Sequence, residues 1–292
     1  MNNQIGRAVI CALVAAAGFA MMYGCLKALG DGYSPFQLVF FRSLFAFAVL
    51  GPILMHVGAR FLHSRRPLGH AARAVAGVVS MGCFFYAASR IPLTDLLALV
   101  FTMPLFVTVF AVVFLRERVG WYRWSAVLVG FVGVLLVVNP AGGAPTEVYA
   151  VALLGGASYA LAAIALRSLG RTEPASTTFF YFTATSVVLS GSALPWVWVT
   201  AEPHHWWWFI GSGLLGGIAQ YYLVEAYRHG EASLVAPFEY SQMLWVIVIG
   251  WYFWRESPTT HALMGGALVI GAGLFIVHRE SVRARGAAAE GR

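Results

Sequence analysis

The sequence predicts an all-α integral membrane protein whose ten transmembrane helices form two inverted five-helix repeats. Three observations carry that prediction. Of 292 residues, 60% are hydrophobic and only 11% are charged, where a soluble domain carries roughly 25% charged residues. Ten apolar stretches approach the ~20 residues that a bilayer span requires. The second half of the chain echoes the first at a nearly constant offset, so that Ala12 falls on Ala152 and Glu117 on Glu256.

The ten stretches lie at roughly 5–27, 36–56, 69–89, 93–114, 121–139, 147–169, 176–198, 206–227, 232–254 and 261–278. Gaps between them are short and hold turn residues, as in Gly30-Asp31-Gly32, Ser34-Pro35, Asn139-Pro140 and Glu202-Pro203. No gap is long enough for a soluble domain. The first stretch is full length and lacks a cleavage site followed by a soluble domain, so it is expected to be retained. Cys11, Cys25 and Cys83 sit inside apolar runs without metal-ligand spacing and read as small hydrophobes.

The net charge of +7 is a topology signal. With the N terminus inside, the cytoplasmic side receives Arg7, Arg60, Arg65, Arg66, Arg73, Arg116, Arg118, Arg123, Arg171 and Arg228, then Arg279, Arg283, Arg285 and Arg292. The outer side receives only Lys27, Arg90 and Arg255. This bias predicts both termini in the cytoplasm. The basic residues form no continuous face, which argues against nucleic acid as a partner.

The repeat is read from three alignments. Residues 11–30 align with 151–170, with Lys27 on Arg167 and Leu29-Gly30 on Leu169-Gly170. The fourth span, Pro92 to Glu117, aligns with the ninth, Glu231 to Glu256, and both end in aromatic–x–Arg–Glu. The fifth and tenth spans match with Gly133 on Gly273. The expected division is 1–140, 141–280 and a cytoplasmic tail at 281–292. Five spans per repeat, an odd number, turn the second repeat upside down, which is the architecture of alternating-access transporters. Gly213-x-x-x-Gly217, Gly155-Gly156 and Gly265-Gly266 read as places of close helix approach.

Pro104, Phe114-Leu115-Arg116-Glu117 and Gly130/Gly133 recur as Pro237, Phe253-Trp254-Arg255-Glu256 and Gly271/Gly273. With these signatures the chain resembles the EamA-type drug/metabolite transporters over about residues 5–278. Its aromatic content and length are most similar to bacterial aromatic amino acid exporters. The resemblance implies an exporter of small metabolites or drugs in the bacterial inner membrane, with a central cavity between the repeats and no cofactor or metal. The expected partners are the substrate and the bilayer. The bundle is expected to act as a monomer, with a dimer as the alternative.

The candidate substrate-binding residues are Glu239, Gln242, Tyr23, Tyr86, Tyr159, Gln220, Tyr221 and Trp245. Glu239 leads because a carboxylate inside a span is costly unless it faces protein, water or a partner charge. A structural pairing with an interior arginine is the competing reading. Gln242 is three positions on and shares its helix face. The aromatic residues offer flat walls with hydroxyl handles, or simply core packing. Trp196, Trp198 and Trp206–Trp208 read as an interfacial belt.

Hinge or gate candidates are Pro104, Pro237, Asp95 and Arg42. Each proline frees a carbonyl one turn back. Arg42 either snorkels outward or neutralises Asp95 or Glu239, and Asp95 pairs with Arg90 or forms an outer gate. The sequence holds no nucleophile constellation, ATP-binding motif or intramembrane protease pair, so an enzyme is not expected. A proton antiporter of cationic drugs and a channel-like facilitator remain as alternatives, although a channel needs rings of like charge or carbonyls.

Overall fold

The computed structural model describes residues 2–57, 62–115, 121–138, 146–169, 172–229 and 238–290. These fold into α1 (Asn2–Ala28), α2 (Pro35–Val57), α3 (Pro67–Ala88), α4 (Leu93–Val100), α5 (Met103–Leu115) and α6 (Trp121–Val138). They continue as α7 (Thr146–Leu169), α8 (Ala175–Val197), α9 (Trp206–His229), α10 (Gln242–Trp254) and α11 (Thr260–Glu290). Among the described residues the helices follow the predicted spans with three differences. The fourth span is broken into α4 and α5, the ninth is interrupted at Tyr240 and Ser241 ahead of α10, and α11 runs on through Glu290 into the predicted tail.

Local chemistry sets the ends. Prolines open α2 and α3, where a missing N–H costs least, and Pro92 and Pro174 immediately precede α4 and α8. Gly30, at φ 70°, turns the chain out of α1. Arg255 closes α10 at φ 56°, and the Glu256 N–H donates back to the Gly250 carbonyl at 3.1 Å. That left-handed closure satisfies an orphan carbonyl and points Glu256 back at the bundle.

Packing follows the repeat. α1 lies along α9 and α3 along α7, while α2 packs on both α8 and α9. The shift that relates the two halves exchanges α1 with α7 and α3 with α9, so the two long contacts are copies of each other. α6 crosses α11 where Gly133 meets Gly265: a methyl carbon on Gly133 would lie 2.7 Å from the Gly265 carbonyl oxygen. The Leu93 N–H donates to Glu256 Oε2 at 3.4 Å. The start of the fourth span thus meets the end of the ninth, as inversion requires.

Leu128, Leu135, Val248 and Phe253 are large, apolar and exposed on the outer faces of α6 and α10. Five stretches of the described residues are long and apolar enough to cross a membrane: Gly6–Ala28, Pro35–Pro52, Pro67–Ala88, Leu93–Phe110 and Thr146–Leu166. Trp196, Trp198 and Trp206–Trp208 are exposed together at the ends of α8 and α9, as an interfacial belt would be.

Candidate functional site

The fourth and ninth spans break at equivalent residues. In the first repeat the chain turns at Phe101 and Thr102. Thr102 Oγ1 donates to the Leu99 carbonyl at 2.6 Å, and the Leu105 N–H donates to the Thr102 carbonyl at 2.9 Å. In the second repeat the turn is at Tyr240 and Ser241. Ser241 Oγ donates to the Phe238 carbonyl at 2.6 Å, and the Leu244 N–H donates to the Ser241 carbonyl at 3.0 Å. One and the same shift carries Leu99 to Phe238, Thr102 to Ser241 and Leu105 to Leu244. Phe101 and Tyr240, equivalent by that shift, touch with ring centroids 4.7 Å apart, so they straddle the pseudo-twofold axis. Non-helical backbone at membrane depth is tolerated where it is buried in protein or lines a cavity.

Pro104 lacks the N–H that would bond the Val100 carbonyl, and the turn at Phe101 and Thr102 falls between the two. Pro104 is the second residue of α5, downstream of the turn, and the element shared by both spans is a hydroxyl residue. Pro237 lies outside the described residues, as does the Arg116-Glu117 pair.

Beside these breaks lies a cavity of about 340 Å³, within the ~300–1,000 Å³ typical of small-molecule sites. Its lining runs from the middle of the bundle toward the end that carries the N terminus: Ala15–Tyr23 of α1, Arg73 onward in α3, Met103–Thr108 of α5 and Tyr159–Leu166 of α7 all contribute. Tyr23, Tyr159, Gln220, Glu239, Gln242, Arg42 and Pro104 line it together.

Three candidates lie elsewhere. Trp245 is 45% exposed, because α10 buries the stripe Gln242, Met243, Val246 and Gly250 and turns Trp245 away. Tyr86 carries the Arg90 guanidinium 4.1 Å over its ring, and Tyr221 sets its ring against Tyr222 at 5.5 Å. Neither belongs to the cavity lining. Asp95 is buried and accepts a hydrogen bond from the Tyr149 hydroxyl at 2.7 Å, so its partner is not Arg90.

Arg42 does not snorkel. It is 3% exposed, and Nη2 donates to the Gly216 carbonyl at 3.3 Å. A methyl carbon on Gly216 would lie 2.9 Å from Arg42 Nε, so the missing side chain makes the seat. Arg73, counted in the sequence as a cytoplasmic topology charge, is 8% exposed and lines the same cavity. Its Cζ lies 4.0 Å above the Phe182 ring, and the ring fits only because residue 77 is glycine. The signal was available: the predicted third span, 69–89, already contained Arg73.

Polar contacts tie the helices together at the opposite end. Lys27 Nζ lies 2.5 Å from Glu256 Oε1 and donates to the Ile91 carbonyl at 3.1 Å. The Gln37 amide donates to the Val199 carbonyl at 2.7 Å and accepts from the Val199 N–H at 3.1 Å. Glu202, His204 and His205 have metal-ligand spacing there, but they sit on the surface and His205 Nδ1 shares a 2.6 Å hydrogen bond with the Tyr33 hydroxyl. The end that carries the N terminus is tied as well: Glu173 accepts from Ser64 Oγ at 3.2 Å and from the Arg65 N–H at 2.8 Å, and Arg66 Nη1 donates to the Ser168 carbonyl at 3.0 Å.

The sequence pattern of the EamA-like transporter family matches residues 6–139 and again 147–278. The chain is 29% identical over 267 residues to the pseudopaline exporter of Pseudomonas aeruginosa, covering 90% of this chain and 93% of that one. It is 28% identical to an S-adenosylmethionine uptake transporter of Rickettsia bellii, covering 87% of each. It is 30% identical to a riboflavin transporter of Rhizobium johnstonii, covering 84% of this chain and 82% of the relative. A solved structure superposes with a TM-score of 0.62 at 19% identity, over 92% of this chain and 94% of the other.

Proposed function

The chain belongs to the EamA-like transporter family, and from that premise we propose that it exports small aromatic or amphipathic metabolites, aromatic amino acids among them, by alternating access. It is a multi-pass membrane transporter of small molecules, not an enzyme. In the proposed arrangement it sits in the bacterial inner membrane with both termini cytoplasmic. The chamber then lies toward the cytoplasmic side, and the Lys27–Glu256 pair is the proposed outer gate.

The observation that carries this reading is the chamber itself. Phe19, Tyr23, Phe85, Tyr159 and Tyr240 supply flat apolar walls, and Gln220, Gln242 and Glu239 supply polar contacts from the second repeat. Such a mixture holds an amphipathic solute. Rocking of the repeats about the paired breaks would open the other end.

Proteoliposomes loaded with labelled L-phenylalanine or L-tryptophan test the reading. Saturable, competitor-sensitive counterflow is expected. Non-saturating ion conductance without counterflow would sink it in favour of a channel. Relatives include uptake carriers, so direction is read by imposing the gradient both ways. Glu239 is the proposed coupling group: Glu239→Gln should abolish stimulation by a pH gradient while exchange continues. Unchanged stimulation rejects that role.

A further inference from the structure

Two guanidiniums of the first repeat, Arg42 and Arg73, face one cavity and are each more than nine-tenths buried. Nε and Nη1 of both have no hydrogen-bond partner among the described residues. Unpaired N–H groups on a buried cation are costly, because the low-dielectric interior strengthens every electrostatic penalty. Two such cations on one chamber also repel each other. An anion between them would relieve both costs.

We propose that Arg42 and Arg73 form a carboxylate subsite, so that the transported molecule is an acid whose oxygens accept hydrogen bonds from the two guanidiniums. The subsite lies in the proposed substrate chamber and so rests on the transport reading. Its parts are built rather than incidental. Gly216 leaves the space for the Arg42 head, and Gly77 leaves the space for the Phe182 ring that supports the face of Arg73. A guanidinium held by its face keeps its edge N–H groups available, and that planar fork matches a carboxylate. Glu239, from the second repeat, lines the same chamber.

The test uses purified full-length protein and two matched sets of probes. One set is 3-phenylpropionate, its amide and 3-phenylpropylamine; the other is hexanoate, hexanamide and hexylamine. Titration calorimetry should show each acid binding about 10- to 100-fold more tightly than the amide on the same frame. Arg42→Gln and Arg73→Gln should each remove that preference. Arg42→Lys and Arg73→Lys keep the charge, guard against a folding defect, and should still cut the preference because the fork is gone.

Equal binding of acid and amide, no binding of either acid, or a preference unchanged in the lysine variants would overturn the subsite. Counterflow separates the two readings. Phenylalanine flux without acid preference leaves transport standing and the subsite refuted. Acid preference without flux of any probe does the reverse.

Discussion

The two repeats reach the cavity through equivalent helix crossings that carry different side chains. α2 presents Arg42 to α9 at Gly216, and α8 presents Phe182 to α3 at Gly77. Position 42 falls on 182 at an offset of 140, and position 77 on 216 at an offset of 139. Each crossing is a large side chain seated in a glycine notch, so the scaffold has been copied. The chemistry has not. By the shift that pairs Gly77 with Gly216, Arg73 falls on Ser212, whose hydroxyl only donates to the Phe209 carbonyl of its own helix at 2.8 Å. Glu239 falls on Val100. Cations thus come from one repeat and the carboxylate from the other. In the proposed cycle, a symmetric hinge around this chamber would let the protein rock between two similar states.

Filling the two notches should separate scaffold from chemistry and gives the largest expected effects. In Gly77→Ala the new carbon would sit 2.6 Å from Phe182 Cε2, a stiff ring that cannot yield without moving α8. A loss of about 1–3 kcal/mol is expected, read as a lower thermal midpoint. In Gly216→Ala the neighbours are Met22 Sδ at 2.7 Å and Arg42 Nε at 2.9 Å, both on flexible side chains. Stability should change less there, while acid binding falls with the displaced guanidinium. Equal stability losses and unchanged binding in both variants would break the distinction.

Much of this was legible in the sequence, for physical reasons that also mark where legibility ends. Span length, short gaps and the constant offset are one-dimensional quantities, so the ten-span bundle and its inversion follow from the chain alone. Glu239 stood out because a carboxylate in an apolar run violates a strong rule. Arg73 obeys the same rule but sits close to a span end, where an arginine also reads as a topology charge, and only the burial of its head distinguishes the two. Trp245 and Tyr86 were misplaced because rotation of a lipid-embedded helix is not encoded by polarity when both faces are apolar. The break at Phe101 and Thr102 lies in the turn ahead of Pro104, where the missing N–H frees the Val100 carbonyl. Thr102 and Ser241 share a hydroxyl-to-carbonyl bond at the two turns, but Ser212 makes the same bond inside the continuous α9, so this pattern does not mark a break in the sequence.

The paired breaks give the second test. Thr102→Val removes a hydroxyl that is buried at 1% exposure and leaves the Leu99 carbonyl without that donor. Ser241→Ala does the same for Phe238 at a half-buried position. Each should cost about 0.5–1.5 kcal/mol, with the threonine at the upper end because water cannot replace its donor. Thermal unfolding of the two single variants and the double variant measures this. If Ser241→Ala alone were strongly destabilising, the two breaks would not be mechanically equivalent.

The smallest effect concerns the Lys27–Glu256 end, and there the inverted repeat makes its sharpest demand. Lys27 and Glu256 pair α1 with the end of α10. At the same offsets the sequence carries Arg167 and Glu117, whose side chains lie outside the described residues. In an alternating-access cycle the two charge pairs should be made and broken in opposition. Glu256 is a quarter exposed, so the Lys27 pair contributes no more than about 1 kcal/mol. That still corresponds to roughly a fivefold change in the balance of two states. Lys27→Met should therefore raise maleimide labelling of the buried Cys25, next to this end, in a background carrying Cys11→Ala and Cys83→Ala. Glu117→Gln should lower it, because it weakens the pair belonging to the opposite state. If both variants moved labelling in the same direction, the two pairs would not be reciprocal gates, and the likeness of the repeats would be one of architecture without a shared motion.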